Sequence, residues 1–162
     1  MIIRSLYQSP LGDMTLVSDG ERLIRLTFNA SSVDGNIPVS EDGITTMTKR
    51  ELDGYFSRRR TSFDIPLLMR GTPFQVEVWS VLSGIPYGKT MTYGEIAAII
   101  AERRGMGRMS ARSVGGAAGS NLFPIIIPCH RVLGKGGALV GYSEGIERKK
   151  WLLDIEGITY RN

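Results

Sequence analysis

The sequence is poor in the residues that metal and redox chemistry need: its 162 positions hold one cysteine, Cys129, and one histidine, His130. A single cysteine excludes an internal disulfide and a Cys-x-x-Cys redox pair, and one cysteine with one histidine cannot form a Cys/His zinc site. No uninterrupted apolar run comes near the ~20 residues of a membrane helix. Met1–Gln8 carries one Arg among apolar residues, but no apolar core segment and no small-residue cleavage site follow. A secretory leader is therefore not expected, and a reducing cytoplasm is the expected setting. What remains is ordinary for a globular protein: 42% hydrophobic and 22% charged residues, in a length that suits one average domain or two small ones. Such a chain buries a core without metal or disulfide staples.

Charge is unevenly placed. Residues 1–70 hold nine Lys/Arg and nine Asp/Glu, whereas residues 71–162 hold eleven against seven and so carry the whole net charge of +4. A basic excess on one lobe suits a polyanion such as nucleic acid, although a solvated basic surface gives the same count.

The first thirty residues read as a β-meander, with short runs at Ile2–Tyr7, Met14–Val17 and Leu23–Phe28 separated by Ser9-Pro10-Leu11-Gly12 and Asp19-Gly20. Asn29–Gly43 is polar and reads as a loop. Ile44–Arg58 carries a helical stripe at Met47, Leu52, Tyr55 and Phe56, and alternation at Phe63, Ile65 and Leu67 predicts a returning strand over Ser62–Leu68. Arg58-Arg59-Arg60 is read as dipole-complementing charge at a helix end.

A boundary falls near Met69–Gly71. Thr72-Pro73-Phe74-Gln75 is a capping box with proline at the first helical position, and Phe74, Val78, Val81 and Leu82 follow as an apolar stripe widened by Trp79. Thr92-Tyr93-Gly94-Glu95 is a second capping box, opening a helix to about Arg103, and a third short helix is expected over Ala111–Gly119. Within that third helix Ser113, Val114, Gly115, Gly116, Ala117 and Ala118 are nearly all small, and two adjacent glycines cost about 2 kcal/mol of helix propensity. Small residues admit close approach, either of another helix or of a DNA groove.

Leu122–Val132 is the most informative stretch. Three isoleucines lie between Pro124 and Pro128 and read as an apolar strand, after which the only cysteine stands beside the only histidine. A lone cysteine is ordinarily a small buried hydrophobe. Beside a histidine it becomes a candidate nucleophile, provided a base takes its proton. His130 would act through a water, with its ring oriented by a carboxylate; periodicity leaves Glu144, Glu147, Asp154 and Glu156 open.

Ile127-Pro128-Cys129-His130-Arg131-Val132, with Asn121 eight residues before the cysteine and Arg112-Ser113-Val114-Gly115-Gly116-Ala117 before that, resembles the O6-alkylguanine-DNA alkyltransferases, the methylated-DNA–protein-cysteine methyltransferases. The resemblance continues through Gly71–Gln75, Ile85-Pro86-Tyr87-Gly88, Thr92–Glu95, Gly141-Tyr142-Ser143, Lys149, Trp151–Leu153 and Glu156-Gly157, so it spans 71–162. Residues 1–70 match only loosely.

The resemblance implies an α/β protein with a small ribonuclease H-like N-terminal lobe (1–70), a structural support, and a winged helix-turn-helix C-terminal lobe (71–162) that binds DNA and accepts the alkyl group. The implied reaction is irreversible, stoichiometric transfer from O6-alkylguanine in double-stranded DNA, after base flipping, to Cys129. O4-alkylthymine is a second candidate substrate. His130 is the base through water, Glu156 its orienting carboxylate and Asn121 the holder of the turn before the cysteine. Arg112 is the finger that fills the vacated stack, on a helix whose Ser113, Gly115, Gly116 and Ala117 approach the DNA. Tyr93 crowds the 3′ phosphate and serves the leaving guanine, while Val132, Tyr142, Ser143 and Lys149 surround the base. No cofactor, metal or membrane is implied; the expected state is a monomer, with clustering on DNA left open. A lesion-binding relative that does not transfer is the rival, and it would lack the acceptor cysteine. A cysteine hydrolase would need an oxyanion hole, and none is recognisable.

The chain departs from the family in two places. Eighteen residues separate Tyr93 from Arg112, more than expected, and they include Arg103, Arg104 and Arg108. Glu144 stands where a glycine is common, placing a carboxylate near the pocket rim.

Overall fold

The structure, a computed structural model, describes residues 1–162, which divide into two compact units, Met1–Met69 and Arg70–Asn162.

In the first unit, β1 (Ile3–Ser9), β2 (Gly12–Ser18) and β3 (Leu23–Thr27) form an antiparallel meander with β2 in the centre. The turn between β1 and β2 is set by sequence: Ser9 Oγ donates to the Gly12 carbonyl and accepts from Leu11 N–H, while Gly12 takes φ 123°. In β2, Met14 to Ser18 are all buried, the polar Thr15 and Ser18 among them, so this strand is covered on both faces. Helix α1 (Gly43–Phe56) packs on the meander through Ile44, Thr45, Thr48, Glu51, Leu52 and Tyr55, the i, i+1, i+4, i+7, i+8, i+11 pattern of one helix face. It starts one residue before Ile44 because Asp42 and Thr45 cap it reciprocally, and it stops before Arg58, which lies at φ 63°.

The strand predicted over Ser62–Leu68 does not form. Leu23 makes a single bridge to Leu67, through Leu23 N–H to the Pro66 carbonyl at 2.8 Å and Leu68 N–H to the Leu23 carbonyl at 2.9 Å. Pro66 has no N–H for a ladder, and the N–H of Asp64 is taken by the Glu51 carboxylate at 2.7 Å.

In the second unit, α2 (Pro73–Ser83), α3 (Tyr93–Arg103) and α4 (Ala111–Gly119) pack against one another. Both sequence-read capping boxes are formed, Thr72 with Gln75 and Thr92 with Glu95. Trp79 is buried, and its indole N–H donates to the Ala117 carbonyl at 2.9 Å, locking α4 onto α2. A short parallel ladder joins β4 (Met91–Thr92) to β5 (Val132–Leu133), so the start of α3 is tied to the chain just after Cys129. Helix α5 (Ile146–Ile155) packs on the turn that holds the cysteine.

That turn corrects a second expectation. The strand expected between Pro124 and Pro128 does not form: Ile125 sits at φ 76°, Ile127 N–H bonds back to the Phe123 carbonyl, and Cys129–Arg131 is a single 3-10 turn. The left-handed backbone at Ile125 turns the chain, and the flanking Pro124 and Pro128 offer no donors to extend a ladder on either side. No helix is long and apolar enough to cross a membrane.

Candidate active site

Cys129 is buried, and Asn121 positions the loop that carries it. The Asn121 amide donates to the Ile127 carbonyl at 2.8 Å and to Cys129 Sγ at 3.1 Å, while its oxygen accepts from Phe123 N–H at 2.9 Å. One side chain thus spans the proline-bounded turn from entry to exit. Burial pushes the Cys129 thiol up to about 11; the Asn121 hydrogen bond and the nearby Lys149 charge hold it down, and the Glu144 charge adds to the rise. At rest the sulfur is a thiol.

His130 is fully buried, and burial, outweighing the Glu156 carboxylate, keeps its pKa below the ordinary histidine value, so the ring is neutral near pH 7. Its Nε2 lies 2.6 Å from Glu156 Oε2. Glu156 also accepts from Arg131 Nε at 2.8 Å, from a second Arg131 nitrogen at 3.1 Å and from Gly88 N–H at 3.1 Å. Surrounded by donors, this carboxylate accepts from the ring as well, which assigns the imidazole proton to Nε2. Nδ1 is left as the basic nitrogen, buried and without a protein partner. Glu156 stands at the C-terminal end of α5, where Gly157 at φ 71° stops the helix.

Lys149 is fully buried too. Its ammonium donates to the carbonyls of Val132 at 2.6 Å, Val140 at 3.2 Å and Gly141 at 3.2 Å, and burial lowers its pKa to about 8. It staples the 140–141 segment to β5.

A cavity of about 250 Å³ opens onto the sulfur, lined by Tyr93, Gly115, Ala118, Gly119, Cys129, Gly141, Tyr142 and Ser143. Of the residues expected around the base, Tyr142 and Ser143 line it, whereas Val132 and Lys149 do not. Of those expected on the outer face of α4, Arg112, Ser113 and Gly116 are exposed and Gly115 half-buried, but Ala117 faces the core. Tyr93 is raised above the usual tyrosine range by burial and by the Cys129 charge.

Sequence reasoning missed three contributors: Arg131, the guanidinium that grips Glu156 and also donates to the Ile85 carbonyl at 2.7 Å; Tyr87, whose ring lies under it at 5.6 Å; and Gly88. The signal was present as the motifs Pro-Cys-His-Arg and Ile-Pro-Tyr-Gly, but nothing along the chain says that they meet at Glu156.

A neutral buried thiol at a cavity floor, with a neutral imidazole and its carboxylate alongside, is the equipment of a protein that accepts a transferable group on sulfur. Two family models match, 6-O-methylguanine DNA methyltransferase, ribonuclease-like domain, over residues 2–69 and 6-O-methylguanine DNA methyltransferase, DNA binding domain, over residues 73–158. The methylated-DNA–protein-cysteine methyltransferase of Methanosarcina acetivorans is 38% identical over 156 residues, 94% of this chain and 97% of its own length. The crystal structure of the Mycobacterium tuberculosis O6-methylguanine methyltransferase, 40% identical, superposes with a TM-score of 0.81 over 96% of this chain and 93% of that one. The crystal structure of M. tuberculosis OGT in complex with DNA gives 0.82 at 40% identity, over 94% and 91%. The chain belongs to the methylated-DNA–protein-cysteine methyltransferase family.

Proposed function

We propose that this chain is a single-use DNA repair protein that removes the alkyl group from O6-alkylguanine in duplex DNA onto Cys129. The observation that carries this reading is the shared cavity: the thiol and the small residues Gly115, Ala118 and Gly119 of α4 line the same space, so a base leaving DNA beside α4 meets the sulfur. Taking the damaged base out of the stack is what chemistry at O6 requires, and a lesion that pairs poorly is cheaper to extrude. In this reading α3 and α4 act as the helix-turn-helix, Arg112 fills the vacated stack and Tyr93 crowds the neighbouring phosphate.

Sulfur attacks the alkyl carbon in line, so the S–C bond forms as the C–O6 bond breaks. The thiol proton passes by way of a water to His130 Nδ1, Tyr93 gives its phenolic proton to the departing guanine, and the Tyr93 phenolate then recovers a proton from the His130 imidazolium through solvent. The net result is a neutral thioether, a neutral guanine and one proton moved from sulfur to base. Glu156 holds the ring by Nε2 so that Nδ1 stays basic, and Asn121 holds the sulfur. A thioether has no good leaving group, so each molecule acts once. The same displacement accommodates O4-alkylthymine, whose alkyl–oxygen bond is of the same kind.

Intact-protein mass after mixing with a duplex carrying one O6-methylguanine tests the proposal. The expected result is a gain of about one methylene mass, saturating at one per protein and absent in Cys129→Ser. Tight lesion binding without a mass change would make the chain a damage-recognition protein and sink the transfer reading.

A further inference from the structure

The connection between α3 and α4 is a defined structure rather than a slack loop. Gly105, at φ 64°, ends α3, with Gly105 N–H to the Glu102 carbonyl at 3.1 Å and Met106 N–H to the Ala101 carbonyl at 2.8 Å. The chain then doubles back along α3. Met106, Gly107, Arg108 and Met109 share a groove of about 420 Å³ with Gly94, Ala98 and Ala101, so the connection runs back to the N-terminal end of α3 before α4 begins. There it borders the proposed DNA edge: Gly94 adjoins Tyr93, and Met109 adjoins Ser110, the cap of the helix that carries Arg112.

The three arginines of this stretch are not equivalent. Arg104 is committed internally, its Nε 2.6 Å from Glu77 and its guanidinium 5.3 Å from the centre of the Phe74 ring. Arg103 stands in the last turn of α3, where it complements the carbonyl end of the helix. Arg108 is exposed and makes neither a hydrogen bond nor an ion pair, although Glu102 lines the same groove. An arginine kept outside every internal pairing, on the margin between Tyr93 and Arg112, matches a phosphate in charge and in its forked donor geometry.

We propose that the Gly105–Met109 connection is an additional DNA-backbone contact, in which the Arg108 guanidinium binds a phosphate flanking the lesion on the Tyr93 side. The inference rests on the DNA-repair reading above. Its contribution is independent of sequence and of damage, because it reaches only the backbone.

Binding of fluorescent duplexes, with and without O6-methylguanine, to the Cys129→Ser protein over about 50 to about 200 mM KCl separates the two ideas. Each phosphate contact contributes about 0.9 to the slope of log affinity against log salt. Arg108→Ala is expected to lower that slope by about 0.9 on both duplexes, Arg108→Lys to restore it, and Arg104→Ala to leave it unchanged. An Arg108→Ala slope equal to that of the parent, or a loss that lysine does not restore, overturns the Arg108 contact and leaves the repair reading standing. A parent that shows no salt-dependent DNA binding overturns both.

Discussion

Arg131 meets Glu156 side-on, with one nitrogen on each carboxylate oxygen at 2.8 and 3.1 Å, and its charge adds to the burial that keeps His130 a neutral base. Glu156 alone would draw a proton onto the ring; the Arg131 charge and burial oppose that, and they prevail. Since His130 is the only histidine, its titration is a single resonance in a proton NMR spectrum. We expect the parent to titrate below the ordinary value of about 6.5, and Arg131→Met to move the titration upward. The same depression has a consequence for stability. In the unfolded chain the ring takes a proton more readily, so the contribution is fully present above pH ~6.5 and is lost as pH falls through the folded value. Urea midpoints should drop over that window in the parent and drop less in His130→Gln. A parent His130 titrating at or above the ordinary value would refute this account of the site.

Cys129 departs from the familiar pattern of a catalytic thiol whose pKa is lowered to keep it ionised. With its pKa pushed up to about 11, the sulfur is almost wholly protonated at pH 7–8, and only a reaction that removes the proton as the bond forms can use it. The sign is therefore opposite to that of a cysteine protease. Alkylation of the native protein by iodoacetamide, followed by mass, should be slow at neutral pH and rise about tenfold per pH unit from 7 to 10. Asn121→Ala should slow it further by removing the side-chain hydrogen bond that favours the thiolate. A plateau near pH 8.5, where a free cysteine levels off, would show that burial does not govern this thiol.

Helix starts were legible wherever capping is written in consecutive residues, as at Thr72–Gln75 and Thr92–Glu95, because the cap is a local interaction. Asp42–Thr45 closes the same kind of box with a threonine at its third position, and the expected start of α1 was one residue late. The two failed strands fail at the backbone. Ile125–Ile127 and Phe63–Leu67 have strand-like side chains, yet Ile125 turns the chain and Pro124, Pro128 and Pro66 offer no donors, and pairing is a property of the backbone. Cys129 and His130 could be nominated because they are neighbours in the chain, whereas Asn121 came only with the resemblance. The choice of Glu156 needed the resemblance, and its grip by Arg131 and Gly88 needed the fold, since those partners lie 25 and 68 residues away.

The paired glycines of α4 can be given a reason by elimination. A Cβ on Gly116 would meet nothing within 4 Å, and one on Gly115 would touch only the Tyr93 ring at 3.8 Å, an ordinary contact. Packing inside the protein thus requires neither glycine, and each costs the helix about 1 kcal/mol against alanine. What remains is close approach from outside, on the exposed face that also carries Arg112 and Ser113. Gly116→Ala should therefore act with opposite signs on two measurements. Stability should rise by about 0.5–1 kcal/mol, a shift of about 1–4 °C in Tm, while affinity for duplex DNA falls several-fold with or without a lesion. A stabilised variant that binds DNA as tightly as the parent would leave the glycine unexplained and would move the DNA edge away from this face of α4.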